Sequence, residues 1–92
     1  MKAVLICYTL GDAKHDVRSA FKREFIGYTD KSNNGAYEYK REGLLSKISH
    51  IKPAKGVIIV KDSDSRKVKR LLKKYKAKVK SFDINIKQSV FH

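Results

Sequence analysis

This chain has no tryptophan, one cysteine, one proline and few acids: nine Asp and Glu stand against 22 Lys and Arg, a formal net charge of +13 over 92 residues. Each scarcity excludes something. A lone cysteine, Cys7, cannot close an internal disulfide, which fits a reducing, cytoplasmic setting. Set in an apolar run, it reads as a buried small hydrophobe. No apolar stretch approaches the ~20 residues a membrane-spanning helix needs. The run at Ala3–Leu10 meets Asp12 and Asp16 at once, with no small-residue cleavage site, so it does not read as a leader. There is no glycine-rich phosphate loop, no zinc-ligand spacing and no nucleophile motif, so neither a cofactor nor a metal is expected.

The shortage of acid is uneven. Residues 1–46 hold eight basic and six acidic residues, a net of +2, whereas residues 47–92 hold fourteen basic and three acidic ones, a net of +11. Between Ser65 and Ser81 stand Arg66, Lys67, Lys69, Arg70, Lys73, Lys74, Lys76, Lys78 and Lys80 without one acid. Val68, Leu71, Leu72 and Tyr75 lie among them at helical spacing, so one face buries while the rest stays positive. Such a surface repels itself unless an anion lies near it, and phosphate is a common one. Most of these cations are lysines, point charges suited to phosphate rather than to reading base edges, which favours the arginine fork. The blander reading is a solvated basic face in a lysine-rich chain, with seventeen Lys to five Arg.

The rest of the chain reads as one domain of alternating elements. Ala3–Leu10 is a strand. Asp12 caps a helix with Val17, Ala20, Phe21 and Phe25 on its apolar side, ended by Gly27. Residues 28–43 form a projecting hairpin or a loop around the turn signal Ser32-Asn33-Asn34-Gly35. Leu44–Ile51 is a short helical turn leading into a strand, and Pro53–Gly56 is a turn. Gly56–Val60 is a second unbroken apolar strand, Ser63, Asp64 or Ser65 caps the basic helix at roughly 65–77, and Phe82–Ile86 alternates as a half-exposed strand. The economical packing is α+β: a ferredoxin-like βαββαβ domain, a four-stranded antiparallel sheet with two helices on one face. A small parallel α/β sheet is the alternative. Strands apolar on both faces imply that the helix-free face is covered as well, by Val90 and Phe91 or by a second copy in a homodimer.

Four constellations bear on chemistry. Asp12, His15 and Asp16 fall within one helical turn and offer oxygen and imidazole to a divalent metal, although a cap and a dipole partner explain the acids equally. Asp62 and Asp64 at the head of the basic helix admit the same two readings. Tyr28, Lys31, Tyr37, Tyr39, Lys40 and Arg41 interleave rings with cations, as single-strand binding requires, or else pack the tyrosines in the core; in the antiparallel packing this segment sits near the start of the basic helix and forms one surface with it. The fourth is the basic helix itself; its apolar stripe is needed by the core, which argues against a membrane-surface role.

In size and plan the chain resembles the small ferredoxin-like proteins of CRISPR adaptation and the related toxin-type ribonucleases. The resemblance implies sheet-to-sheet dimers that contact nucleic acid. The aspartate that ends strand one in those proteins has no counterpart in Cys7-Tyr8-Thr9-Leu10, and Asp12 is the nearest acid. The function expected is therefore contact with the phosphate backbone of RNA or DNA without strong sequence specificity, through Arg66, Lys69, Arg70, Lys73, Lys74 and Lys76 with Tyr37, Tyr39, Lys40 and Arg41. The alternatives are a metal-dependent nuclease and a module for an acidic protein partner.

Overall fold

The first apolar run forms strand β1, Lys2–Thr9, at the centre of the molecule. The computed structural model describes residues 1–32, 35 and 37–91. Along β1 every second side chain points to one face, and Val4 and Ile6 on that face are buried. Strand β5, Val57–Lys61, lies antiparallel beside it, with Ile6 opposite Ile58 and Val4 opposite Val60. Helix α1 spans His15–Phe25 and helix α2 spans Asp62–Lys74. Phe21 and Phe25 from α1 and Val68, Leu71 and Leu72 from α2 join Val4, Ile6, Ile58 and Val60 in one buried cluster. Both helices thus cover the same face of the sheet.

The other strands are β2 (Gly27–Ser32), β3 (Tyr37–Glu42), β4 (His50–Ala54) and β6 (Lys78–Asn85). The main sheet has the order β4-β5-β1-β6, and each pairing in it is antiparallel. The parallel alternative is therefore wrong. The two unbroken apolar runs hold the central places, as the sequence implies. A plain βαββαβ order is not met, because β2 and β3 pair with each other as a separate two-stranded hairpin. Asn33 and Asn34 of the expected turn lie outside the described residues. A 3-10 turn at Leu44–Lys47 leads from β3 towards β4 and buries Leu45.

Several boundaries move for identifiable reasons. Asp12 is not a helix cap: α1 begins at His15 after Lys14, and no side chain caps it. Instead Arg18 donates to the carbonyls of Ala13 (2.9 Å) and Gly11, tying the preceding loop to the helix. Of the α1 residues expected to bury, Phe21 and Phe25 do, Val17 is half-buried and Ala20 is exposed. Helix α2 begins at Asp62, and the Ser65 hydroxyl donates to the Asp62 carbonyl at 2.7 Å rather than capping from outside. The same helix stops at Lys74. Lys76 takes a left-handed φ of 56°, and the amide of Ala77 bonds back to the Leu72 carbonyl at 3.0 Å, a Schellman-type close.

Pro53 lies within β4 rather than in a turn. The pairing of β4 with β5 shifts register between Ile51 and Ala54, and an irregular edge strand is where a residue without an N–H is tolerated. The turn shrinks to Lys55–Gly56. Gly56 has φ +78°, its carbonyl accepts from Tyr8 N at 2.8 Å, and a Cβ there would come within 2.9 Å of the Tyr8 carbonyl. This position requires glycine on both counts.

Candidate nucleic-acid interface

Helix α2 carries its cations in two rows, because positions three and four apart share a face. Arg66, Lys69, Lys73 and Lys76 form the outer row. Lys69, Lys73 and Lys76 line an open groove together with Ala77 and with Val79 and Ser81 of β6. None of the four has an ion-pair partner within 4.0 Å among the described residues. From Arg66 to Lys73 the row runs about 10 Å at helical rise, and Lys76 extends it past the end of the helix.

The inner row differs. Lys74 Nζ donates to both carboxylate oxygens of Glu24, at 2.8 and 3.0 Å, and the Tyr75 hydroxyl donates to the same carboxylate. The hydrogen bond from Lys74, seconded by the one from Tyr75, holds the Glu24 carboxyl below its ordinary range. The same bonds hold the Lys74 ammonium and the Tyr75 hydroxyl above theirs. Lys67 stands 3.8 Å from Asp64. Arg70 lines a shallow depression with Glu24, Glu42, Lys47, Lys67 and Lys74, in which acids and bases are mixed. Of the six basic residues expected to bind along and just after α2, Lys74 is already engaged, whereas Arg66, Lys69, Lys73, Lys76 and, on the inner row, Arg70 have no ion-pair partner within 4.0 Å among the described residues. Lys47, contributed by the 3-10 turn, is a cation of this neighbourhood that the helix pattern could not reveal.

The hairpin separates the remaining expected residues. Register places Tyr28 opposite Arg41, Asp30 opposite Tyr39 and Ser32 opposite Tyr37, so Tyr28, Tyr37, Tyr39 and Arg41 share one face. Lys40, opposite Thr29, lies on the other. Tyr37 and Tyr39 are 56% and 52% exposed, so neither packs in the core. The Arg41 guanidinium lies 6.0 Å from the Tyr39 ring centroid, and Arg23 of α1 lies 5.0 Å from that of Tyr28. The sequence places the hairpin near the start of the basic helix. Its base instead adjoins the middle and end of α2, where Glu42 and Gly43 border the depression lined by Arg70 and Lys74. Tyrosine face and outer row are therefore two surfaces, not one.

The acid clusters stay apart. Because β1 and β5 are antiparallel, Asp12 and Asp16 follow the end of β1 that is opposite to the end bearing Asp62. Asp16 accepts from the Val17 amide at 2.9 Å, and His15 Nε2 lies 3.5 Å from the Ser19 hydroxyl. Among the described residues no three metal-ligating side chains converge.

The helix-free face of the sheet holds Leu5, Cys7, Val57, Ile59, Ile51 and Phe82 by register and alternation. Phe82 is 55% exposed and the other five are half-buried, so Cys7 is not the fully buried residue its surroundings suggested. The apolar stripe of α2 is spent on the core, and no helix among the described residues is long and apolar enough to cross a membrane.

No protein-family model, no curated protein and no solved structure matches the chain, so the resemblance to the CRISPR-adaptation and toxin-type proteins rests on general plan alone.

Proposed function

We propose that this is a small basic protein that holds nucleic acid by its phosphate backbone without strong sequence specificity. The observation that carries the reading is the outer row of Arg66, Lys69 and Lys73 on α2, continued by Lys76, which has no ion-pair partner among the described residues and of which Lys69, Lys73 and Lys76 line a groove. Four cations set in one row can neutralise about four phosphates of a strand. Lysine supplies three of the four cations, which suits charge contact rather than base reading. The test is a titration of the full chain with RNA and DNA at several salt concentrations. Four neutralised phosphates give a log–log salt slope of about −3 to −4. Absence of binding to either polymer at low salt would refute the reading and favour an acidic protein partner.

The architecture is read as the ferredoxin-like arrangement with the β2–β3 hairpin inserted after α1. Support comes from the main sheet, whose first and third strands are central and whose second and fourth are edges.

A second copy is the proposed cover for the helix-free face. Phe82, exposed beside Leu5, favours this, since a chain of 92 residues gains from a shared core. Sedimentation of the full chain would give a dimer, and Phe82→Glu a monomer; a wild-type monomer at high micromolar concentration would end the idea. A lone cysteine is compatible with such a protein working in the cytoplasm.

A further inference from the structure

We infer that the tyrosine face of the β2–β3 hairpin stacks unpaired bases, so that the nucleic acid bound is single-stranded. The inference rests on the phosphate-binding reading above and adds the class of strand to it. Tyr28, Tyr37 and Tyr39 are 41%, 56% and 52% exposed and project from one face of the hairpin. Three rings grouped on one face make an aromatic patch rather than scattered single residues, and such patches mark interaction sites. Tyr37 and Tyr39, two residues apart on one strand, stand about 7 Å apart along it, so each offers its own ring to a base. Two of the three rings have a guanidinium close by, Arg23 at Tyr28 and Arg41 at Tyr39, which adds a cationic partner beside the stacked base.

The charge of the hairpin points to bases rather than to backbone. Between Gly27 and Glu42 it holds Lys31, Lys40 and Arg41 against Asp30, Glu38 and Glu42, and so is neutral. Two of those cations are paired within it, Lys31 with Glu38 at 3.8 Å and Arg41 with Asp30 at 3.5 Å. A neutral aromatic face is a poor rail for phosphate and a good platform for bases. A duplex cannot use it, because its base faces are already stacked within the helix.

The test compares wild type, Tyr37→Ala/Tyr39→Ala and Tyr37→Phe/Tyr39→Phe. Each is titrated with single strands of about a dozen nucleotides, DNA and RNA, and with a duplex of equal length. The alanine pair is expected to lose about tenfold or more in single-strand affinity per ring removed, with duplex affinity unchanged; the phenylalanine pair keeps both. Because the chain has no tryptophan, tyrosine emission is a direct second readout. Single strands should quench it in the wild type and duplex should not. Equal quenching by both, or alanine variants that lose neither or both affinities alike, would overturn base stacking while leaving phosphate binding standing. A wild type that holds no nucleic acid at all would overturn both.

Discussion

Lys74 and Glu24 join the end of the basic helix to the end of α1, with the ammonium donating to both carboxylate oxygens at 2.8 and 3.0 Å. This contact divides the positive charge of α2. On one flank Lys74 and Lys67 are answered by the protein's own acids, Glu24 and Asp64, and the cations of the other flank have no such partner among the described residues. A helix that looks uniformly basic as a string of letters is partly neutralised along one side in space.

The clamp has a pH signature. The folded Glu24 carboxyl titrates below its ordinary value of 4.5, chiefly through the Lys74 hydrogen bond, so its contribution is present above that value and is lost as pH falls through the lowered one. Lys74 and Tyr75 titrate above their ordinary values of 10.5 and 10.0, so their contribution is present below those values and is lost as pH rises past the raised ones. Thermal unfolding followed from pH 2 to 6 should show a shallower acid loss for Glu24→Gln than for wild type. An identical slope would remove the clamp from the stability account.

The two rows of α2 should respond differently to charge reversal. Lys69→Glu with Lys73→Glu is expected to abolish binding to RNA and DNA at moderate salt. Lys69→Ala alone should reduce the magnitude of the salt slope by about 1. Lys74→Ala should lower melting temperature more than affinity, since its charge is already answered by Glu24. Equal losses of affinity from Lys73→Ala and Lys74→Ala would refute the division.

Lys76 separates function from stability at one position. Its left-handed φ of 56° at the helix close is uncomfortable for a side-chain-bearing residue. Lys76→Gly is expected to stabilise the fold by about 1 kcal/mol in denaturant melts while weakening nucleic-acid binding through loss of a cation. A destabilised Lys76→Gly protein would mean that the lysine makes contacts of its own.

Gly56 should tolerate no replacement. Gly56→Ala combines a left-handed φ of +78° with a Cβ approach of 2.9 Å to the Tyr8 carbonyl. A loss of about 2 kcal/mol or more is expected, read from chemical denaturation. A smaller loss would mean that the β4–β5 turn shifts to make room.

The apolar runs at β1 and β5 and the 3.6-residue spacing of Val68, Leu71 and Leu72 were plain in the letters, because burial on a strand or helix face imposes a period. From these the central strands and the buried side of α2 followed. The helix starts did not, because Asp12 and Ser63 are good caps by type while the backbone begins α1 at His15 and α2 at Asp62. Pro53 was misleading for a similar reason: its missing N–H forbids a central strand but not an irregular edge.

The candidate site was half legible. Composition and residue order set the excess of cations, the absence of an internal disulfide and the amphipathic character of α2, since these depend on which residues are present and how they are spaced. Tertiary structure alone decided which cations have a carboxylate at hand, that Tyr37 and Tyr39 stand in solvent, and that the hairpin base meets the middle and end of α2. The reason is physical. Pairing of Glu24 with Lys74 depends on two helices crossing fifty residues apart in the chain, and no local pattern records where one helix comes to rest against another.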